Sequence, residues 1–397
     1  MMLTDNYIIL SSKNSVVPTF DNLGTRGSVG TFDIQPDTLE IEEAVLTRAE
    51  SNDLRRDPRT RAIAPPMPMK LIDPVDSIAV NAAEAEDVTW GVRAVGALES
   101  PFDGTGITVA VLDTGIDPNH PAFADVELVR RNFTTEVDDD QHGHGTHCAG
   151  TIFGKDVNGK RIGIAQNVDR ALIGKVLGEG GGSSATIAQA IQWAVNEGAH
   201  VISMSLGIDF PGFVDLLVNQ YNLDINPATS IALEGYRANI NLFTELAEFV
   251  RAQGQFGQGT TIVAASGNES ERPSYEIAVA PPAAGTGIIA VGALEQTDDG
   301  LATARFSNTQ VDIAAPGVGV VSAIPGGGLR SMSGTSMATP HVAGVAALWA
   351  QRQLSATSEV NSQRLLARLI ASGSMNALVS DAEAEDVGTG IVQAPLL

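Results

Sequence analysis

The stretch ITVAVLDTGID, Ile107 to Asp117, is apolar residue after residue until it stops at Asp113 and turns through Gly115. A strand with no polar face must be covered on both sides, which is how parallel strands sandwiched between helices read. Working outward, RALIGKVLG, HVISMSLG, TTIVAASGN, IIAVGAL and VDIAAPG repeat this character. Between them, ATIAQAIQWAVNEGA and NLFTELAEFVRAQ carry apolar residues at helical spacing. The alternation predicts an α/β domain, a doubly wound and mostly parallel sheet flanked by helices. Its functional site should lie at the carboxyl ends of the strands.

A chain of 397 residues with 43% hydrophobic content can bury a large core. The net charge of -23 would repel phosphates and argues against nucleic acid as a partner. No apolar run reaches membrane-spanning length. Its single cysteine excludes an internal disulfide framework. The opening MMLTDNYIILSSKN lacks the basic start and long apolar run of a secretory leader. That predicts a cytoplasmic protein, or a secreted one if a leader has been removed.

The first eighty or so residues have a different texture. YIIL, GTFDI and LEIEEAVL read as strands and SNDLRRD as a short polar helix. TRAIAPPMPMKLI reads as a further strand running into an extended tail. Residues 1–85 are therefore expected to form a small α+β unit with its linker, and residues 86–397 the large domain. DPVDSIAVNAAEAEDVT, Asp73 to Thr89, is linker-like where the two meet, being acidic and without strong periodicity. DFPGFVDLLVNQYNLDINPATS, Asp209 to Ser230, follows a strand end and reads as an elaborated loop or helical insertion.

Chemistry-bearing residues gather at the strand ends. Asp113 ends a buried strand, where a carboxylate needs a hydrogen-bonding partner such as an imidazole N–H. Asn268 ends TTIVAASGN, and by itself would be a left-handed turn residue. GTSMATPHVAGVAALWA reads as a turn entering an apolar helix, so Ser336 sits at a helix N-terminus, where N–H groups favour a developing anion. Alone it would be a plain capping serine. DDDQHGHGTHCAG, Asp138 to Gly150, holds three carboxylates, three histidines and Cys148. His142, His144 and His147 could ligate a metal, or one of them could be a general base for a distant nucleophile.

Taken together, VAVLDTGID, HGTHCAG, SMSLG, AASGNES and SGTSMATPHVAG, in that order, resemble the subtilisin-like serine proteases from about Trp90 to Leu397. The resemblance implies Asp113 as orienting acid, His144 as general base, Ser336 as nucleophile and Asn268 as oxyanion-hole side chain. It implies peptide or unfolded protein as substrate, held as an added strand between LGEGGGSS (with Gly180, Gly181 and Gly182) and SMSLG (with Ser205, Leu206 and Gly207). Ala265, Ser266 and Gly267 would floor the pocket for the residue before the scissile bond, and uncharged VAPPAAG would wall it, giving an apolar preference. His147 becomes a structural neighbour, His142 a loop residue, and Cys148 a small buried hydrophobe.

The resemblance also makes residues 1 to about 85 an inhibitory propeptide-like domain and a partner of the large one. Its self-cut would fall between Met69 and Thr89, just before WGVRAVGA. No cofactor is needed for the chemistry. A structural calcium is a possibility in this family, with Asp156 and Asn158 of KDVNGK and the run Asp138 to Asp140 as candidate oxygen ligands. Three other activities compete: a peptide transacylase or ligase on the same site, a metal-dependent hydrolase built on the three histidines, and a non-catalytic scaffold. The metal reading leaves Asp113, Asn268 and the Ser336 helix unexplained, and the scaffold would lack a triad residue.

Overall fold

The computed structural model describes residues 6–12, 39–79, 87–253 and 259–396. GTFDI lies outside the described residues. The N-terminal unit is a three-stranded antiparallel sheet in the order β2-β1-β3. It comprises β1 (Asn6–Ser12), β2 (Leu39–Val45), α1 (Arg48–Leu54) and β3 (Thr60–Ala64). Thr47 starts α1 with a capping box: its hydroxyl accepts from Glu50 N–H, and the Glu50 carboxylate accepts from Thr47 N–H. Two short strands follow, β4 (Pro68–Leu71) and β5 (Asp76–Ala79). β5 falls inside the segment expected to be a plain linker. It pairs antiparallel with a strand more than two hundred residues away, a partner no local pattern could announce.

From α2 (Trp90–Ala94) onward the doubly wound domain unfolds as expected. Its strands are β6 (Thr108–Asp113), β7 (Glu127–Asn132) and β8 (Arg170–Lys175), with α3 (His144–Phe153) crossing between β7 and β8. Then come β9 (Gly182–Ser183), α4 (Ser184–Asn196), β10 (Val201–Met204) and β11 (Leu206–Ile208). The expected insertion is two helices, α5 (Phe210–Asn219) and the start of α6 (Ile225–Gln253). The chain continues through β12 (Thr261–Ala265), β13 (Ile288–Thr297), β14 (Gly300–Thr303) and β15 (Ile313–Pro316). It ends with β16 (Val320–Ile324), β17 (Gly328–Ser333), α7 (Thr335–Thr357), α8 (Ser362–Ala371) and α9 (Ala384–Val387).

The main sheet runs β14-β13-β12-β10-β6-β8-β7, with β15 also on β13. All its pairs are parallel except β13 with β14. The chain grows from β6 to β8 on one side, then crosses back to β10 on the other. That reversal makes the carboxyl ends of β6 and β10 the place where a crevice opens. Alternate residues feed two cores: Val109, Val111, Val201 and Val263 face α3 and α7, whereas Ala110, Leu112, Ile202 and Ala264 face α4 and α6. This two-sided burial is why these strands carry no polar face.

The N-terminal unit shares the second core. Ile8, Leu10, Ala62 and Ala64 pack with Ile187, Ile191, Leu242 and Phe243 of α4 and α6. Gln192 Nε2 donates to Leu39 O at 2.6 Å, and Asn239 Nδ2 to Pro65 O at 2.9 Å. The two units are thus welded by apolar burial as well as by hydrogen bonds. Leu10 is fully buried in this joint. Leu10→Ala should destabilise the full-length chain by about 2–5 kcal/mol, measured by chemical denaturation.

Candidate active site

Asp113 closes β6 at its buried carboxyl end, and α3 begins with His144 directly above it. Asp113 Oδ1 lies 2.8 Å from His144 Nδ1 and also accepts from Thr114 N–H at 2.8 Å. Both side chains are withdrawn from water. With a carboxylate on Nδ1, that nitrogen carries the proton and Nε2 keeps the basic lone pair. Nε2 is buried without a hydrogen-bond partner. Burial is the largest single influence and opposes a charged imidazolium, but the charge and hydrogen bond of Asp113, together with the adjacent Cys148 sulfur, hold the His144 pKa well above the usual histidine value.

The acidic run beside these residues divides three ways. Asp138 Oδ1 accepts from Asn132 Nδ2, and Asp139 pairs with Arg130. Asp140 is buried and accepts from Thr114 Oγ1, His142 N–H, Gly143 N–H and both donors of Thr146. It caps the start of α3 and ties that helix to the turn after Asp113. His147 points elsewhere: its Nε2 sits 3.1 Å from both Val320 O and Arg330 O, and burial pushes its pKa down to about 3. His142 is half-exposed, with Nε2 3.9 Å from Asp73 Oδ1. The three histidines therefore do not converge on one point. Among the described residues, the group of His, Cys, Asp and Glu ligand atoms close enough to share an ion is Asp113, His144 and Cys148. Elsewhere, Asp156 accepts from Gln166 Nε2 at 2.8 Å, and Asn158 adopts a left-handed turn with φ 53°.

Ser336 is the second residue of α7, after Gly334. A β-carbon at Gly334 would lie 2.9 Å from Asn268 Nδ2, so a larger residue there would push the amide from its place. Asn268 Oδ1 accepts from Thr335 N–H and Oγ1 at 2.8 and 2.9 Å, which turns its amide donor toward the cleft. Pro340 lies deeper in α7 than a helix-start position, as the sixth residue. Its missing N–H leaves the Ser336 carbonyl without the usual helical donor. Ser205 Oγ at 3.2 Å and Cys148 Sγ at 3.4 Å donate to it instead. Burial pushes the Cys148 thiol up, consistent with its acting as a neutral donor.

The cleft is filled by the chain itself. β4 lies antiparallel between β11 and β9, with Lys70 opposite Gly207 and Met69 opposite both Ile208 and Gly182. Gly181 is needed here, since a β-carbon would stand 2.5 Å from Met69 O. Ile72 N–H donates to Ser205 O at 3.3 Å, and the Ile72 side chain is buried beside Gly207. Ala265 ends β12, Ser266 and Gly267 follow it toward Asn268, and Pro281 O of VAPPAAG accepts from Ile208 N–H. Ser336 Oγ donates to Ile72 O at 2.7 Å, whereas Asn268 Nδ2 donates to the next carbonyl, Asp73 O, at 2.8 Å. Beyond it, Val75 N–H donates to Ser333 O, and β5 adds to the edge of β17.

Residues 104–389 match the subtilase family, and the chain belongs to it. It is 38% identical over 276 residues to a protein named alkaline elastase YaB from Bacillus sp. (strain YaB), spanning 67% of this chain and 61% of that one. An alkaline protease of Alkalihalobacillus alcalophilus is 36% identical over 292 residues, 71% of this chain and 65% of the relative. Subtilisin Savinase of Lederbergia lenta is 36% identical over 275 residues, 68% and 86% of the two chains. The matched region thus spans about three fifths to two thirds of the length of the first two relatives. The cytoplasmic placement expected from the N-terminus gains no support from these relatives. No helix among the described residues is long and apolar enough to cross a membrane.

Asp140 offers a direct test of this framework. Burial opposes its charge, but bonds from Thr146, Gly143 and Thr114 outweigh that and hold its carboxyl below the usual range. Asp140→Ala should cost about 2–4 kcal/mol at neutral pH. A carboxyl depressed by folding contributes above its unfolded pKa of about 3.9 and loses the contribution as pH falls through its folded value. The gap between variant and wild type should therefore shrink below about pH 4, as read by denaturation across pH.

Proposed function

We propose that the chain is the precursor of a serine endopeptidase, caught with its own N-terminal segment in the substrate cleft. The observation that carries this is the strand Pro68–Leu71 between β11 and β9, leading the Ile72 carbonyl to Ser336 Oγ. A peptide bound this way is held by main-chain hydrogen bonds, so many sequences fit. The buried seat of Ile72 supports an apolar preference for the residue before the bond.

In the proposed reaction a serine hydroxyl, a poor nucleophile at neutral pH, needs a base as it attacks. His144 Nε2 takes the Ser336 proton and then delivers it to the leaving amine, while Asp113 fixes the tautomer and stabilises the imidazolium. The tetrahedral oxyanion is held by the Asn268 amide and by N–H groups at the start of α7, and loss of one such donor typically costs about 10²–10³ in rate. Water then releases the acyl group. Cys148 and Ser205 act through Ser336, fixing its carbonyl and hence the direction of its side chain.

The N-terminal unit is an inhibitory domain on this proposal, and its self-cut follows Ile72. In the uncut form the machinery is split between neighbouring peptides. Ser336 addresses the Ile72 carbonyl, but Asn268 holds the Asp73 carbonyl. Cutting requires Ile72 O to move onto the Asn268 amide and Ser336 Oγ to turn to His144. The bond is bound in the cleft but not aligned for attack.

Wild-type protein incubated at neutral to alkaline pH should shorten to a chain beginning at Asp73, read by N-terminal sequencing, and then digest an unfolded protein. Ser336→Ala and His144→Ala should stay full length and inert, whereas His142→Ala should retain most activity. A mature enzyme still beginning at Met1 would sink the self-cut, and digestion by Ser336→Ala would sink the nucleophile. Labelling of Ser336 by a phosphonylating reagent, with no loss of activity to a zinc chelator, separates this reading from the metal-dependent one.

The pH dependence follows from His144. A base must be unprotonated to act, and its pKa is raised, so activity should fall as pH drops through a value above 6.5. Removing the covering segment relieves burial, which works in the same direction. The acid limb of kcat/KM should therefore lie above pH 6.5 in wild type, and Asp113→Asn should move it to lower pH as well as lowering kcat.

A further inference from the structure

The cleft holds one contact that main-chain recognition does not explain. Lys70, on β4, is the third residue back from the proposed cut, counting Ile72 as the first. Its ammonium lies 3.3 Å from Asp209 Oδ1 and 3.7 Å from Glu269 Oε1. The two carboxylates come from different parts of the fold, and each is held independently of the lysine. Asp209 is the cap of α5, accepting from Gly212 N–H at 3.2 Å. Its own N–H donates to Pro68 O at 3.1 Å, so its backbone continues the pairing with the occupant strand. Glu269 follows Asn268 directly, and its other oxygen accepts from Asn308 Nδ2 at 2.8 Å. Neither carboxylate has to reorganise to receive a cation.

Resting on the endopeptidase reading, we propose that Asp209 and Glu269 form a subsite selecting lysine or arginine at the third residue before the scissile bond. A substrate strand in the register of β4 brings that side chain where the Lys70 ammonium now sits. When the N-terminal segment leaves, the two carboxylates stay fixed at the rim of the cleft with no cation between them. The insertion that begins at Asp209 thus acts on selectivity, through its first residue, and is more than a surface elaboration. The rim is about one-third to two-fifths exposed, so the gain is modest and salt-sensitive. The contact lies three residues from the reacting carbon and does not change as the bond breaks. It therefore belongs in KM more than in kcat.

The test uses the self-cut enzyme and internally quenched peptides with an apolar residue before the bond. The third residue back is Lys, Ala or Glu, and a fourth peptide carries Lys at the second position back, on the opposite face of the strand. The fourth peptide controls for general attraction to a chain of net charge -23. At low salt, kcat/KM for Lys at the third position should exceed that for Ala by about five- to tenfold, mainly in KM, with Glu poorest. Asp209→Asn with Glu269→Gln should bring the Lys-to-Ala ratio to within about twofold. Asparagine caps a helix as well as aspartate, and glutamine can still accept from Asn308, so the variant keeps its local structure. About 1 M salt should shrink the wild-type ratio in the same way. Equal rates for Lys and Ala, an equal gain from Lys at the second position, or a ratio that survives in the double variant would each overturn this proposal alone. No cleavage of any peptide would overturn the endopeptidase reading and this subsite with it.

Discussion

A carboxylate buried at the end of a parallel strand is the constraint around which this molecule is arranged. Asp113 has almost no exposed surface, and an unpaired charge there would cost several kcal/mol. It is tolerable because His144 and the Thr114 amide meet it, and the start of α3 is held over the end of β6 by the buried Asp140, which bonds Thr114, Gly143 and Thr146. The same burial that makes the pair expensive makes it strong. It fixes the imidazole tautomer and leaves Nε2 bare toward the cleft. Across that cleft, Pro340 frees the carbonyl of Ser336 for Ser205 and Cys148, so the helix bearing the serine, the helix bearing the histidine and the strand edge beside them form one unit.

The parts of this architecture that are local are legible in the sequence. The strands β6, β8, β10, β12, β13 and β15 announce themselves because both faces are buried, α4 because its apolar residues recur at helical spacing, and α7 because a turn leads into a long apolar run that is buried on nearly every side. β7 is harder to see, since ELVRRN carries charge and mostly faces out, and β14, β16 and β17 are short or mixed. Nothing local marks β5, which exists because β17 offers it an edge. α6 begins well before the apolar run NLFTELAEFVRAQ because its first turns pack on α5 in a small core of their own.

The site divides in the same way. Asp113, His144, Asn268 and Ser336 stand in recognisable stretches, and the structure brings Asp113 to His144 and Asn268 to the start of α7. What no stretch contains is the relation between Ile72, Asp73 and those residues, because it depends on a strand laid in from another part of the chain. The role of Asp140 is hidden for a related reason: a run of three aspartates looks like solvated surface or an ion site until one member is seen turned inward. The split address of Ser336 and Asn268 to adjacent carbonyls is a matter of a single residue's register, beyond the reach of any pattern.

The pairing of β4 on one side and β5 on the other means that the cleft grips backbone from Pro68 to Ala79. An occupant of that length has to surrender its own secondary structure first. For a folded protein in solution, that surrender is a local opening whose free energy depends on where it happens, from near zero at frayed ends to the full stability of the domain in its core. The enzyme proposed here would accordingly discriminate among proteins by their opening equilibria before it discriminates by residue. Cut sites would map the soft regions of a target, and a stable target would survive in proportion to how seldom it opens.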